Sequence, residues 1–179
     1  MTKNKMSLNE QNIVFIGFMG VGKTTIGEAV AKQLNRDFID IDQAIEKEFQ
    51  MPTTDIFKIH GEKVFREREK TLITEYCMST GKVISVGGGA FLQEEIRTIC
   101  MSHCIVIYLH LPWDAWKERL SLIIDSRPVL KGRTLEEMEE LFYEREKIYA
   151  SYHLKVETDQ LTVDEITDHI TELLKLTRN

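Results

Sequence analysis

The stretch Gly17-Phe18-Met19-Gly20-Val21-Gly22-Lys23-Thr24-Thr25 has the spacing of a phosphate cradle: a glycine, four residues, then Gly-Lys-Thr. Its glycines let the backbone curl so that successive N–H groups converge on phosphate oxygens, helped by the positive end of the following helix. Gly20, Val21, Gly22, Lys23, Thr24 and Thr25 are therefore candidate nucleotide-binding residues. Lys23 is placed to reach the β- and γ-phosphates of a triphosphate, and the Thr24 hydroxyl to ligate Mg²⁺. Such a loop does not name a reaction, because switches, motors and kinases share it.

Further groups suited to chemistry follow in order. In Asp40-Ile41-Asp42, alternate side chains of an extended segment share a side, so both carboxylates can face the phosphate cradle. One would then order Mg²⁺ through water while the other accepts a proton or hydrogen bonds from an acceptor hydroxyl. Equally, Asp42 can serve as the N-cap of a helix over 43–50. Glu62, Arg66 and Glu69 fall on one helical face, where either glutamate can hold the guanidinium ready for a carboxylate; a solvated charged face is the alternative. Gly87-Gly88-Gly89 directly follows a strand-like run and lets a ligand or another backbone come close. Arg127, kept extended by Pro128, lies in a stretch over 121–133 that reads as a mobile lid able to bring it over the phosphates. Arg145 and Tyr149 are one turn apart on an acidic helix, where a surface ion pair is the simplest reading of Arg145.

Elements that position these groups are legible as strand-like runs at Ile13–Ile16, Phe38–Ile41, Val83–Val86, Ile105–Leu109 and Leu154–Val156, with helical stretches between. This alternation predicts an α/β fold, a parallel sheet flanked by helices, with functional loops at the carboxyl ends of the strands. Thr134 with Glu137 forms a capping box, and Val163, Ile166, Ile170, Leu173 and Leu174 mark one face of a closing helix. Residues 1–11 read as a loose tail and 12–179 as a single domain. The 179 residues carry a net charge of −6, which argues against nucleic acid as a main partner. No apolar run is long enough to span a bilayer, so the expected setting is the cytoplasm. Cys77, Cys100 and Cys104 lack paired metal spacing and read as small buried thiols. His110 reads as structural. Neither the third nor the fourth run ends in the aspartate of a motor-type ATPase, and no Asn-Lys-x-Asp guanine-reading motif is present.

Gly17–Thr25, Asp40-x-Asp42, Phe65-Arg66-x-x-Glu69, Gly87-Gly88-Gly89, and Arg127-Pro128 followed by Arg145-x-x-x-Tyr149 occur in the order and spacing of one family, and from Asn12 onward the chain resembles the shikimate kinases. The resemblance implies a three-layer α/β/α P-loop fold with a central five-stranded parallel sheet and a lid. It implies ATP as co-substrate with Mg²⁺, and transfer of phosphate to the 3-hydroxyl of shikimate. Asp42, Arg66, Gly87, Gly88, Gly89 and Arg145 would hold shikimate, the two arginines taking its carboxylate. Lys23 and Arg127 would stabilise the transferring phosphoryl group, and Arg119 would stack on adenine opposite the loop 158–161. The expected state is a monomer. Residues 121–124 are apolar where many relatives are basic, and a gluconate-kinase-like enzyme or a nucleotide-binding regulator without turnover are the competing readings.

Overall fold

Short runs rich in Ile, Val and Phe form one parallel sheet, whose three central strands are buried on both faces and are therefore apolar along most of their length, while the two edge strands are partly exposed. The computed structural model describes residues 10–177. Its strands are β1 (Asn12–Ile16), β2 (Asp37–Asp40), β3 (Lys82–Ser85), β4 (Cys104–His110) and β5 (Leu154–Glu157), in the spatial order β2-β3-β1-β4-β5. All four pairings are parallel, with Val14 of β1 opposite Ile84 on one side and Val106 on the other. The carboxyl ends of all five strands therefore share one edge, and Asp40 stands in register with Ser85 there.

The helices are α1 (Lys23–Leu34), α2 (Ile41–Phe49), α3 (Thr53–Ile59), α4 (Glu62–Cys77), α5 (Glu94–His103), α6 (Trp113–Glu118), α7 (Leu120–Ile123), α8 (Leu135–Ile148) and α9 (Val163–Leu176). α1 packs against α9, and α4 against α2 and α5, giving the three-layer α/β/α arrangement. The capping box at Thr134 and Glu137 is present, and Thr162 with Glu165 repeats it at α9. Asn12 is fully buried; its side-chain amide donates to Tyr76 O (2.9 Å) and Ser79 O (2.6 Å) and its Oδ1 accepts from Lys82 N (2.7 Å). One side chain thus satisfies the turn between α4 and β3, where unpaired backbone groups would be costly.

α1 starts at Lys23, directly after Gly22, which adopts φ +101° and caps it. Of the tail expected over 1–11, residues 10 and 11 are tied to the fold: Glu10 O accepts from Gly81 N (2.8 Å) and Gln11 O from Arg36 Nη1 (2.7 Å), while residues 1–9 lie outside the described residues. In the stretch 121–133, read above as a lid, α7 leads into 3₁₀ turns at Ile124–Ser126 and Pro128–Leu130, and Leu130 is fully buried. Cys77, Cys100 and Cys104 are free and buried, with 3.7 Å between the sulfurs of Cys77 and Cys100.

Candidate active site

β1 ends in the phosphate-cradle loop, which is wedged between neighbours. A Cβ on Gly17 would lie 2.5 Å from the carbonyl oxygen of Leu109, and φ there is +150°, so only glycine fits. From the other side the Trp116 indole N–H donates to Met19 O at 2.7 Å and fixes the loop against α6. Lys23 Nζ donates to Gly17 O (2.7 Å) and Phe18 O (2.9 Å). Burial, reinforced by the charge of Arg127 and opposed by Asp42 and Asp40, pushes the Lys23 pKa down to about 7. This ammonium is costly to keep charged until a strong anion faces it.

Thr24 Oγ1 donates to Asp40 Oδ2 at 2.5 Å, so the two side chains expected around Mg²⁺ stand together. Asp40 Oδ1 accepts from Gln43 N at 3.0 Å. The helix cap is therefore Asp40, which corrects the reading of Asp42 as the cap. α2 begins at Ile41, so Asp42 sits in a first helical turn and not in an extended segment. Both carboxylates do line one cavity, but through the strand-to-helix turn and not through strand alternation. Asp42 lies beside Gly87, where a Cβ would come within 2.9 Å of its Oδ1, and its Oδ2 is 3.4 Å from Arg127 Nη1. Burial raises the Asp42 pKa, with Arg127 pulling the other way.

Lys23, Thr24, Asp40, Asp42, Ser85 and Arg127 line a cavity of about 230 Å³. A smaller cavity of about 50 Å³ adjoins it through Asp42, Gly87, Gly88 and Arg127, and adds Arg66, Gly89 and Arg145. Arg66 Nη1 donates to Glu69 Oε1 (2.8 Å) and its Nε to Glu62 Oε1 (3.4 Å), so both glutamates hold it. Phe65 and Phe57 lie beside the guanidinium, 5.4 and 5.9 Å from it. Burial works against the Arg66 charge, yet Glu69 and Glu62 outweigh it and raise the pKa. Glu69 has no exposed surface; burial pushes its pKa up to about 7 against the pull of Arg66. Gly89 leaves room for this group, since a Cβ there would sit 2.5 Å from Arg66 Nη2.

Arg145 is buried, which overturns the surface ion-pair reading; its Nη1 donates to Gly88 O at 3.4 Å. Burial lowers its pKa, and Arg66 adds to that. Two guanidiniums that repel each other across a small cavity favour a bound carboxylate over water. Arg127 Nε and Glu69 Oε2 are buried without a hydrogen-bond partner, polar atoms that a ligand or water would satisfy. Among the described residues no cluster of three or more His, Cys, Asp or Glu is arranged to hold a metal.

Gly20, Val21, Gly22, Thr25 and Arg119 do not line either cavity. Arg119, half-buried after α6, reaches Gly20 O at 3.5 Å. The loop 158–161 starts at Thr158, whose N–H and hydroxyl both donate to His110 O (2.9 and 3.0 Å). The His110 ring lies between Glu146 Oε1 (2.7 Å) and Glu157 Oε2 (2.5 Å), a bracing role in line with its structural reading. Reading by motif missed Met19, which lines both cavities, Trp116 and Gln93, whose amide donates to Glu69 Oε1 at 3.2 Å. Nothing in local spacing marks Gln93; Trp116 had a signal only in its rarity.

A P-loop on a parallel sheet, a Thr–Asp pair beside its lysine, and an adjoining pocket with two guanidiniums define a phosphotransferase for a small anionic acceptor. A shikimate kinase family profile matches residues 19–175. The shikimate kinase of Oceanobacillus iheyensis is 56% identical over 172 residues, covering 96% of this chain and 94% of that protein. That of Bacillus subtilis is 53% identical over 175 residues, covering 97% and 94%. Among solved structures, the shikimate kinase from Acinetobacter baumannii in complex with shikimate has a TM-score of 0.88 at 30% identity, over 94% of each chain. The chain belongs to the shikimate kinase family.

Proposed function

We propose that this protein transfers the γ-phosphoryl group of ATP to the 3-hydroxyl of shikimate. Family membership supports shikimate phosphorylation, and the observation that carries the residue roles is the pair of adjoining cavities sharing Asp42 and Arg127. The loop Gly17–Thr25 binds the phosphates. Lys23 and Arg127 offset charge on the transferring group, whose loose transition state makes positioning and electrostatics the main sources of rate. Thr24 directly, and Asp40 through water, would hold Mg²⁺, which would supply charge neutralisation for the transferring group. Asp42 hydrogen-bonds the acceptor hydroxyl and takes its proton. Burial raises its pKa, which makes the carboxylate a stronger proton acceptor. Arg66 and Arg145 clamp the carboxylate, with Gly87, Gly88 and Gly89 allowing close approach. Arg119 and the loop 158–161 flank adenine, and the stretch 121–133 acts as the lid. The enzyme works as a cytoplasmic monomer built as one domain.

A coupled ADP-release assay with shikimate, gluconate and nucleoside monophosphates as acceptors tests this reading. Release with shikimate alone is expected, and the product should carry phosphate at the 3-position by ³¹P and ¹H NMR. Turnover with gluconate and none with shikimate would overturn it.

A further inference from the structure

Tyr149 belongs to a sequence pattern that the roles above leave without a task. It follows α8 one turn after Arg145, its N–H donates to Arg145 O at 3.1 Å, and its ring is fully buried. Its ring packs against that of Tyr108, with centroids 5.5 Å apart. The phenol donates to Gly88 O, the same carbonyl oxygen that accepts from Arg145 Nη1. Gly88 has little room to move: a Cβ placed on it would meet Met19 N at 3.1 Å on one side and the Tyr149 hydroxyl at 3.6 Å on another. Burial pushes the phenol pKa up, so the group keeps the proton it donates across the working range.

We propose that Tyr149 is a positioning residue for the acceptor pocket: by holding the Gly88 carbonyl against the phosphate-cradle loop, it fixes both guanidiniums that read the acceptor carboxylate. The link to Arg145 is the shared carbonyl. The link to Arg66 runs through the next peptide unit. A trans peptide carries its C=O and N–H on opposite sides, so anchoring Gly88 O fixes where Gly89 N–H and its α-carbon stand. Gly89 in turn lies directly against the Arg66 guanidinium. Without the phenol, Gly88 O keeps only the longer 3.4 Å contact from Arg145, and the peptide can tilt. Met19 packs from the loop that holds phosphates, so Tyr149 also sets the spacing between the donor and acceptor halves.

This inference rests on the reading of the pocket as the shikimate site, and the test separates the two. Initial rates on the full chain are compared for wild type, Tyr149→Phe and Tyr149→4-aminophenylalanine, varying shikimate and ATP in turn. Losing the donor is expected to raise KM for shikimate about tenfold, with kcat within about threefold and KM for ATP within about twofold, the pattern of lost uniform acceptor binding. Restoring an N–H donor with 4-aminophenylalanine should bring KM for shikimate most of the way back. A residue that only fills space would move both KM values and the melting temperature together, with no rescue, and that result overturns the proposal. An unchanged KM for shikimate overturns it as well. Should Tyr149→Phe not fold, Tyr149→4-fluorophenylalanine keeps the volume without the proton and must show the same split. Wild-type protein inactive on shikimate removes the functional reading and this role with it; active wild type with an unchanged variant removes this role alone.

Discussion

Replacing Lys23 by methionine should make the ligand-free protein more stable while silencing it. The ammonium is buried, and its pKa falls from 10.5 to about 7. At about 1.4 kcal/mol per unit, holding the charged lysine in the fold costs about 4 kcal/mol at pH 7 relative to the unfolded chain. Its two hydrogen bonds to Gly17 O and Phe18 O return about 1 kcal/mol each. Methionine, of similar length and uncharged, should therefore gain about 2 kcal/mol, or roughly 4–8 °C in a domain of this size. The sign of the pH dependence follows from linkage. Above pH 7 the unfolded chain binds more protons at this lysine than the folded protein, so wild-type stability rises toward pH 10.5. By pH 9 it should have recovered about 2 kcal/mol, closing most of the gap. Thermal melts of both proteins at pH 7 and pH 9, with and without ATP and Mg²⁺, measure this directly. Saturating nucleotide should stabilise wild type more than the variant, and turnover of Lys23→Met should fall roughly 10³-fold. A variant that melts lower at pH 7, or a difference that does not shrink with pH, would refute the reasoning.

Arg127→Ala should cut kcat roughly 10³-fold with the fold intact by circular dichroism, since a charge-stabilising group is lost from the transition state; a kcat within about threefold of wild type would remove Arg127 from the mechanism. Arg66→Lys should raise KM for shikimate by about tenfold or more and leave nucleotide binding unchanged by titration calorimetry, because an ammonium cannot reproduce the planar fork that Glu69 and Glu62 hold. Equal loss of both affinities would make Arg66 structural. Gly89→Ala places a methyl where Arg66 Nη2 now lies and should give the same acceptor-selective defect as Arg66→Lys, with little loss of stability on thermal melting.

The five strands were readable to within about a residue at most ends; the central three are short, mostly apolar runs because they are buried on both faces, and the edge strands β2 and β5 keep enough apolar residues to show. The phosphate cradle was readable because backbone curvature demands glycine at set intervals. Asp42 shows where local pattern fails. Alternation assumed an extended backbone, and a helix cap two residues upstream on Asp40 changed the geometry while preserving the outcome. Arg145 shows a second limit. Six glutamates share its helix, and only the approach of Gly88, 57 positions earlier, turns that one side chain inward. The same holds for Gln93 and Trp116, whose partners Glu69 and Met19 are brought to them by the packing of α4 and α6.

Placing β1 at the middle of the sheet divides the molecule's duties by side. Toward β3 and β2 lie Ser85, Gly87, Gly88, Gly89, Asp40 and Asp42; toward β4 and β5 lie His110 and the Thr158 loop it braces. The groups that would recognise an alcohol thus hang from one flank, and those near the proposed adenine site from the other. α8 reaches across, with Arg145 and Tyr149 on Gly88 and Glu146 on His110, and so does Arg127, which meets Asp42. Such a layout is modular: acceptor preference can drift through one flank and a single helix turn while the triphosphate machinery stays constant. The turn from Arg145 to Tyr149 is then the seam at which a change of acceptor must be reconciled with the half that handles the nucleotide.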